Sequence, residues 1–308
     1  LILLIINKSF SIIIPIKTYI PPHNDTNITE YWASRQMYSN IELGTPSQNA
    51  LLFLSFKENS FYLEKITQNN KIIGINSEYN YNKSSSSKIL TEFDESYGKF
   101  RKCGAFIGED FYFNEKIDEP KKKFEKISFF LSSKNATELS FTLGIGLQKK
   151  SKDKGFFDEL KEKKYIKSYD WFLNYKSNDE ILLIIGQKIH EYYPKYYSEN
   201  QILPMNSYCS STYLKWGILF NKIFINNTTF SDLLDSELDF NYGAIIIPSD
   251  YWDYIIEIYF KEYIKLNICT METNSEKLRY FYCNQNNFSK RDINKAPIFK
   301  FYSVQFNY

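Results

Sequence analysis

Short runs of large apolar residues, separated by turn-forming residues, recur along the chain and limit what it can fold into. These runs, rich in Ile, Phe, Tyr and Leu, occupy residues 10–16, 127–131, 180–185 and 216–220. Apolar runs of this length between turn residues are typical of β-strands. Only residues 156–166 and 251–264 carry apolar side chains at the three- and four-residue spacing that predicts a helix. The pattern therefore predicts a mainly β protein.

The composition supports a sizeable core and gives no sign of a polyelectrolyte partner. The 308 residues are 43% hydrophobic and 24% charged, and the formal net charge is only +2. Because single cores stop growing at about 250–300 residues, we expect two lobes. The balanced charge favours no nucleic acid partner. The lysine run at residues 121–123 is expected in a solvated loop.

A segment in the first fifth of the chain resembles the strand pair that leads to the active site of pepsin-like aspartic proteases. Residues 38–48 read YSNIELGTPSQ and resemble the family pattern Y-x-x-x-I-x-I-G-T-P-x-Q, and residues 51–54 supply the apolar strand that follows. The family then continues into D-T-G-S-S-x-L-W-V, whereas this chain reads SFKENSFYL. With Tyr62 in the place of the family's tryptophan, Ser55 takes the place of the catalytic aspartate, and Phe56 takes that of the threonine.

Further landmarks follow in the order that the family has them. Tyr97 and Gly98, with Gly104 and Asp110 after them, resemble the flap hairpin that covers the active site. Residues 143–147 resemble the I-L-G-L-G segment that follows the flap. Weaker matches occur at residues 156–157, 168–173, 185–193, 216 and 223–225.

The resemblance implies a bilobal pepsin-like aspartic protease fold with a central cleft. We expect an N-terminal lobe at residues 10–195 and a C-terminal lobe at residues 196–308. Residues 296–301 resemble the family's P-x-I-x-F-x-F strand, but the chain stops at Tyr308, before the I-L-G-D-x-F element that closes the second lobe. The second lobe is therefore expected to be incomplete in this chain.

The second catalytic motif is also altered, and two registers are open. If Pro248 takes the place of the family's downstream proline, Asp239 stands on the second aspartate and Phe240 on its threonine. In the rival register, Asn241 stands on the aspartate and Gly243 stays the glycine. Neither register restores D-T-G.

These departures remove the chemistry on which the family depends. Aspartic proteases use two carboxylates that share one proton, one to activate water and the other to polarise the scissile carbonyl. Ser55 has no acidity near neutral pH, and a lone Asp239 lacks the neighbouring charge that separates the two pKa values. The sequence therefore predicts a catalytically inactive protein that binds a peptide, a glycan, a protein or its own copies.

Two alternatives stay open at this point. The chain is an active endopeptidase if Asp239 works with an unrecognised partner such as Asp235, Glu237 or Glu58. The chain is another β-rich secreted protein if the resemblance misleads.

Several signals favour the secretory route. Residues 1–9 begin with LILLII and are expected to be the remnant of a signal peptide, with a buried first strand as the alternative. No later stretch reaches the ~20 apolar residues that span a bilayer, so no membrane anchor is visible. Glycosylation sequons begin at Asn27, Asn82, Asn135, Asn226, Asn227 and Asn287. We expect a protein that is secreted or held at the cell surface.

The four cysteines fit an oxidising compartment without making a disulfide-dense scaffold. The resemblance implies a disulfide between Cys269 and Cys283, where pepsin-like C-terminal lobes carry one. The partners of Cys103 and Cys209 stay open. Because the chain has no C-x-x-C motif and only two histidines, we expect no metal and no cofactor.

Overall fold

The computed structural model describes residues 11–19, 36–56, 59–65, 77, 79–93, 104–115, 119–132, 139–146, 155–176, 180–198, 217–230, 234–237, 247–273, 279–284 and 286–303. These residues form two compact units. Residues 11–198 of the described ranges belong to the first unit and residues 217–303 to the second. The expected lobe boundary between residues 195 and 196 stays a prediction.

The described part of the first unit contains ten strands, two short α-helices and a 3₁₀ turn (Tyr81–Lys83). The strands are β1 (Ile12–Tyr19), β2 (Gln36–Leu43), β3 (Gln48–Ser55), β4 (Phe61–Lys65), β5 (Lys88–Phe93), β6 (Gly104–Phe113), β7 (Lys122–Leu131), β8 (Leu139–Gly144), β9 (Trp171–Tyr175) and β10 (Ile181–Ile185). The helices are α1 (Phe156–Glu162) and α2 (Ile189–Tyr192). The described part of this unit is therefore mainly β, as the apolar runs predict.

Six of these strands close into a barrel. They pair in the order β6-β7-β4-β8-β3-β2, and β2 pairs back to β6 through Glu42 opposite Tyr112 and Leu43 opposite Phe111. Four of the six pairs are antiparallel, whereas β4 runs parallel to β7 and β8 runs parallel to β3. Closing the sheet pairs the edges that an open sheet would expose.

Aromatic side chains fill the barrel core, because alternate residues of each strand point inward. The rings of Phe61, Phe111, Phe129 and Phe141 pack with centroid distances between 4.8 and 6.2 Å. Phe156, at the start of α1, lies 4.8 Å from Phe61 and covers this cluster. Burial of such side chains is worth about 1.5–3 kcal/mol each.

The uninterrupted apolar sequence of β10 is explained by burial of both faces of the strand. It pairs with β1 and β9, and all five of its residues are buried. One face joins the main core, while Leu182 and Ile184 on the other face pack with Ile13, Phe172 and Tyr192. A strand covered on both faces needs apolar residues at every position.

The second unit is smaller and has its own core. Its strands are β11 (Gly217–Ile225), β12 (Thr228–Phe230), β13 (Leu234–Glu237), β14 (Cys269–Thr273), β15 (Arg279–Cys283) and β16 (Phe299–Ser303). Its helical segments are α3 (Ser249–Ile255), a π-helical turn (Ile256–Phe260), α4 (Lys261–Lys265) and α5 (Lys290–Ile293). The buried residues Ile223, Ile225, Tyr251 and Ile255 form the core.

Two local predictions need correction. The helix predicted over residues 251–264 is interrupted by the π turn, which joins α3 to α4. The lysine run is not a loop, because Lys122 and Lys123 begin β7 with exposed side chains that pair with Glu115 and Asp110. An antiparallel strand can keep one face in solvent, so a run of charged residues is compatible with a strand as well as with a loop.

In the described part of the chain, no helix is long and apolar enough to cross a membrane.

Candidate functional site

Ser55, the residue that the sequence resemblance predicts in the first aspartate place, lies at the carboxyl end of a buried strand. Residues 51–54 of β3 are fully buried, and Ser55, half-buried, is the last residue of the strand. Ser55 stands opposite Gly144 in the parallel pairing of β3 with β8, and its carbonyl oxygen accepts a hydrogen bond from the Ile145 backbone at 2.8 Å. Residues 143–145, part of a segment that was matched separately in the sequence, therefore lie beside the end of β3.

The next residue, Phe56, is a core side chain. Its side chain is 4% exposed and belongs to the main hydrophobic core, with its ring centroid 6.1 Å from that of Trp171. The sequence resemblance predicts the place of a threonine here, and the structure shows an apolar core side chain at this position. The residue cannot take part in a polar active-site network.

The loop after Phe56 is held by two further segments. The carbonyl oxygen of Ser60 accepts a hydrogen bond from the Gly144 backbone at 2.9 Å. On the other side, a Cβ added to Gly155 would lie 2.6 Å from the carbonyl oxygen of Asn59, so only glycine fits there. The Gly155 backbone also donates to the Asp158 carboxylate at 3.0 Å, which caps α1.

Several predicted site residues lie outside the described residues. They are Asp239, Asn241, Glu58, the flap residues Tyr97 and Gly98, the cysteines Cys103 and Cys209, and the sequon residues Asn27 and Asn135. Asp235 and Glu237 belong to β13, where their backbones pair with Leu219 and Gly217. The resemblance predicts that Ser55 and Asp239 face each other across the cleft, and this stays a prediction.

The sequence analysis missed a buried carboxylate in β6. The Glu109 side chain is fully buried and accepts hydrogen bonds from the Tyr79 hydroxyl at 3.0 Å, the Ser86 hydroxyl at 2.5 Å and the Asp110 backbone at 2.9 Å. Among the described residues, no lysine or arginine forms an ion pair with Glu109. Burial, and then the charge of Glu109, raise the pKa of Tyr79. We call the side chains of Glu109, Tyr79 and Ser86 the Glu109 cluster.

The Glu109 cluster joins the turn between β2 and β3 to the segment before β5. The Ser86 hydroxyl also bonds to the Thr45 hydroxyl at 3.1 Å, and Ser84 accepts from the Thr45 backbone at 3.0 Å. The sequence signal that could have revealed the Glu109 cluster is the pair of adjacent carboxylates at residues 109–110, in an otherwise apolar strand. The neighbouring Asp110 pairs with Lys123 at 2.9 Å.

The disulfide implied by the resemblance is present. Cys269 and Cys283 are bonded and stand directly opposite each other in the antiparallel pair of β14 and β15. Four sequon asparagines fall in the described part of the chain, and all are exposed, namely Asn82, Asn226, Asn227 and Asn287. Among the described residues, no group of three His, Cys, Asp or Glu side chains could hold a metal ion.

The fold places the chain among mainly β proteins built on a six-stranded barrel. No protein-family model matches the sequence, and no curated protein matches it either. Solved structures do resemble it. The crystal structure of basic 7S globulin from soybean has a TM-score of 0.59 at 10% identity, over 96% of this chain and 78% of that one. Conglutin gamma, a basic 7S globulin from lupine seeds, has a TM-score of 0.50 at 11% identity, over 82% and 71%. At such low identity the likeness shows a shared fold only.

Proposed function

We propose that this protein is a secreted, non-catalytic relative of pepsin-like aspartic proteases that acts as a binding or structural component outside the cell or at its surface. The observation that carries the proposal is the position of Ser55. It ends β3 next to Gly144 and Ile145, in the place where the motif order puts the first catalytic aspartate. A hydroxyl there cannot share a proton with a second carboxylate, as the reaction requires.

The surroundings of Ser55 support an inactive centre as well. Phe56 packs in the core beside Trp171 and offers no hydrogen bond to hold a neighbouring carboxyl group. Catalytic groups need placement within a fraction of an ångström, and a displacement of about 1 Å can cost about 10²-fold in rate. A side chain that serves packing is a poor substitute for one that positions a reacting group.

The structural comparisons contribute the fold and are compatible with this proposal. Both neighbours are named as 7S globulins, and neither is named as a peptidase. On this proposal the partner is a peptide, a glycan, another protein or a second copy of this chain. Neither a cofactor nor a nucleic acid partner is part of it.

A peptidase assay tests the proposal directly. The purified protein should not cleave an unfolded test protein at acidic or neutral pH. A transition-state inhibitor of pepsin should bind weakly, because its affinity depends on the proton shared by two carboxylates.

The alternative reading, an active endopeptidase centred on Asp239, makes the opposite prediction. Cleavage by the unmodified protein that is sensitive to the inhibitor and is lost in Asp239→Ala would establish that alternative. Cleavage that survives in Asp239→Ala and ignores the inhibitor would identify a contaminating peptidase.

A further inference from the structure

The two overlapping sequons at the tip of the β11–β12 hairpin differ in what their side chains do. Ile225 and Thr228 are paired, so Asn226 and Asn227 form a two-residue turn. Asn226 has a φ of 53°, a left-handed conformation that asparagine tolerates better than most residues. Both asparagines are exposed, but exposure alone does not make a sequon usable.

The sequon of Asn226 is engaged by the fold. The Asn226 backbone donates to the Ile298 carbonyl oxygen at 2.9 Å, and its side-chain oxygen accepts from the Ile298 backbone at 3.0 Å. Two residues further on, the Thr228 hydroxyl is hydrogen-bonded to the Tyr254 hydroxyl. The Asn226 side chain and the Thr228 hydroxyl, which define this sequon, are therefore both hydrogen-bonded within the fold.

The sequon of Asn227 is open. Asn227 and Thr229 are exposed, and neither side chain forms a hydrogen bond with another described residue. An amide nitrogen is a poor nucleophile while its lone pair is conjugated with the carbonyl group. A carboxamide that is free to rotate can be taken out of that conjugation by an enzyme, whereas one fixed by hydrogen bonds resists it.

In the other two described sequons, those of Asn82 and Asn287, the hydroxyl group is hydrogen-bonded within the fold, as it is in the sequon of Asn226. For Asn82, the hydroxyl two residues on belongs to Ser84, which is buried and bonded to the Thr45 backbone at 3.0 Å and to Ser86 at 3.1 Å. For Asn287, that hydroxyl belongs to Ser289, which donates to the Asp292 carboxylate at 2.6 Å and caps α5.

We propose that Asn227, recognised together with Thr229, is the N-glycan acceptor of the folded protein within its described residues. In the transfer, the Asn227 side-chain nitrogen bonds to the anomeric carbon of the first sugar. The bond from that carbon to the pyrophosphate of a lipid-linked oligosaccharide breaks, the lipid pyrophosphate leaves, and an amide proton passes to a base. The inference rests on the secretory route of the proposed function, because the donor is found there.

The overlap of the two sequons provides matched variants that leave both asparagines in place. Thr229→Ala removes only the sequon of Asn227. Thr228→Val removes only that of Asn226, because residue 228 is the middle position of the Asn227 sequon, where every residue except proline is allowed. Asn7→Gln, Asn24→Gln, Asn27→Gln and Asn135→Gln form the common background, because Asn7-Lys-Ser and Asn24-Asp-Thr are sequons too, so that only described sequons are compared.

The experiment incubates unglycosylated, folded protein with a purified oligosaccharyltransferase and a lipid-linked oligosaccharide, and reads the product by intact mass and peptide mapping. We expect one oligosaccharide, on Asn227, with at least a tenfold loss in Thr229→Ala and full retention in Thr228→Val. The reduced, unfolded chain should accept sugar at several sites, and circular dichroism should show that both variants fold.

Two results would overturn the proposal. One is modification of the folded protein at Asn82, Asn226 or Asn287 that persists in Thr229→Ala. The other is no transfer to the folded protein while the unfolded chain is modified. Because the assay supplies the transferase and the donor, its outcome does not depend on the peptidase and inhibitor tests of the proposed function.

Discussion

The ring of Phe56 lies 6.1 Å from that of Trp171, centroid to centroid, inside the core of the first unit. Phe56 directly follows Ser55, so the two residues in the aspartate and threonine places have different environments. Ser55 is half-buried at the strand end, while Phe56 stabilises the fold. Phe56 is part of the core, so changes there should affect stability.

Phe56→Thr, which restores the family's residue, should destabilise the protein. Loss of a buried aromatic ring typically costs about 3–5 kcal/mol, and the threonine hydroxyl would be buried among apolar groups. We expect a decrease of about 3 kcal/mol in the free energy of unfolding, measured by urea denaturation. Ile89→Thr, at an exposed position of β5, is the control and should change stability by less than about 0.5 kcal/mol. Equal effects in the two variants would contradict the core role of Phe56.

Ser55→Asp should not create peptidase activity. The carboxylate would lack the hydrogen-bonding threonine that the family places next, because that position holds Phe56 in the core. We expect no cleavage of an unfolded protein above background between pH 3 and pH 7. The same holds for the double variant with Phe56→Thr if it folds. Activity in the single variant would show that the loop geometry is intact and that only the acid is missing.

Tyr79→Phe and Glu109→Met should each destabilise the first unit, and their effects should not add. Each change leaves a buried polar atom without its partner, at a cost of about 1–3 kcal/mol. Because both remove the same hydrogen bond, the double variant should be more stable than the sum of the single effects by at least about 0.5 kcal/mol. Additive effects in a double-mutant cycle would show that the two groups do not interact.

Asp292 should titrate well below the ordinary range of an aspartate. The Ser289 hydroxyl, the Ser289 backbone and then the Tyr263 hydroxyl lower the pKa of Asp292 to about 2, from an ordinary value of 3.8. The carboxylate therefore contributes stability that is fully present above pH 3.8 and is lost as the pH falls through about 2. A carboxyl titration by NMR checks the value.

Asp292→Asn provides the stability test for the same group. This variant should lose part of the decrease in stability that the unmodified protein shows between pH 4 and pH 2. Asp250→Asn, an exposed aspartate at the start of α3, is the control and should keep that decrease. A carboxyl pKa near 4 for Asp292 would contradict these contacts.

Replacing both Cys269 and Cys283 with alanine should destabilise the second unit by about 3 kcal/mol. The bond closes a loop with a sequence separation of 14 residues, and in the chain-entropy account a loop of that size gives about this value. Denaturation with and without a reducing agent measures the effect. Reduction should shift the unmodified protein to the stability of the double variant and leave the variant unchanged. A shift in both would point to another disulfide.

Much of the secondary structure follows from local sequence pattern. Apolar runs at residues 127–131, 180–185 and 216–220 coincide with β7, β10 and the start of β11, because strand formation depends largely on neighbouring residues. The resemblance that puts Ser55 in the aspartate place likewise depends on one short segment of sequence. The disulfide required the family pattern, since spacing alone does not specify pairing.

Only the tertiary structure decided how these strands close and which polar groups become buried. The pairing of β2 with β6 joins residues about 70 positions apart, and the Glu109 cluster joins segments 45, 79–86 and 109. Hydrophobic periodicity describes a residue's immediate neighbours and says nothing about partners that are distant along the chain. Phe56 shows the same limit. The sequence resemblance assigns it to a motif, but its packing against Trp171, 115 positions later, makes it a core residue.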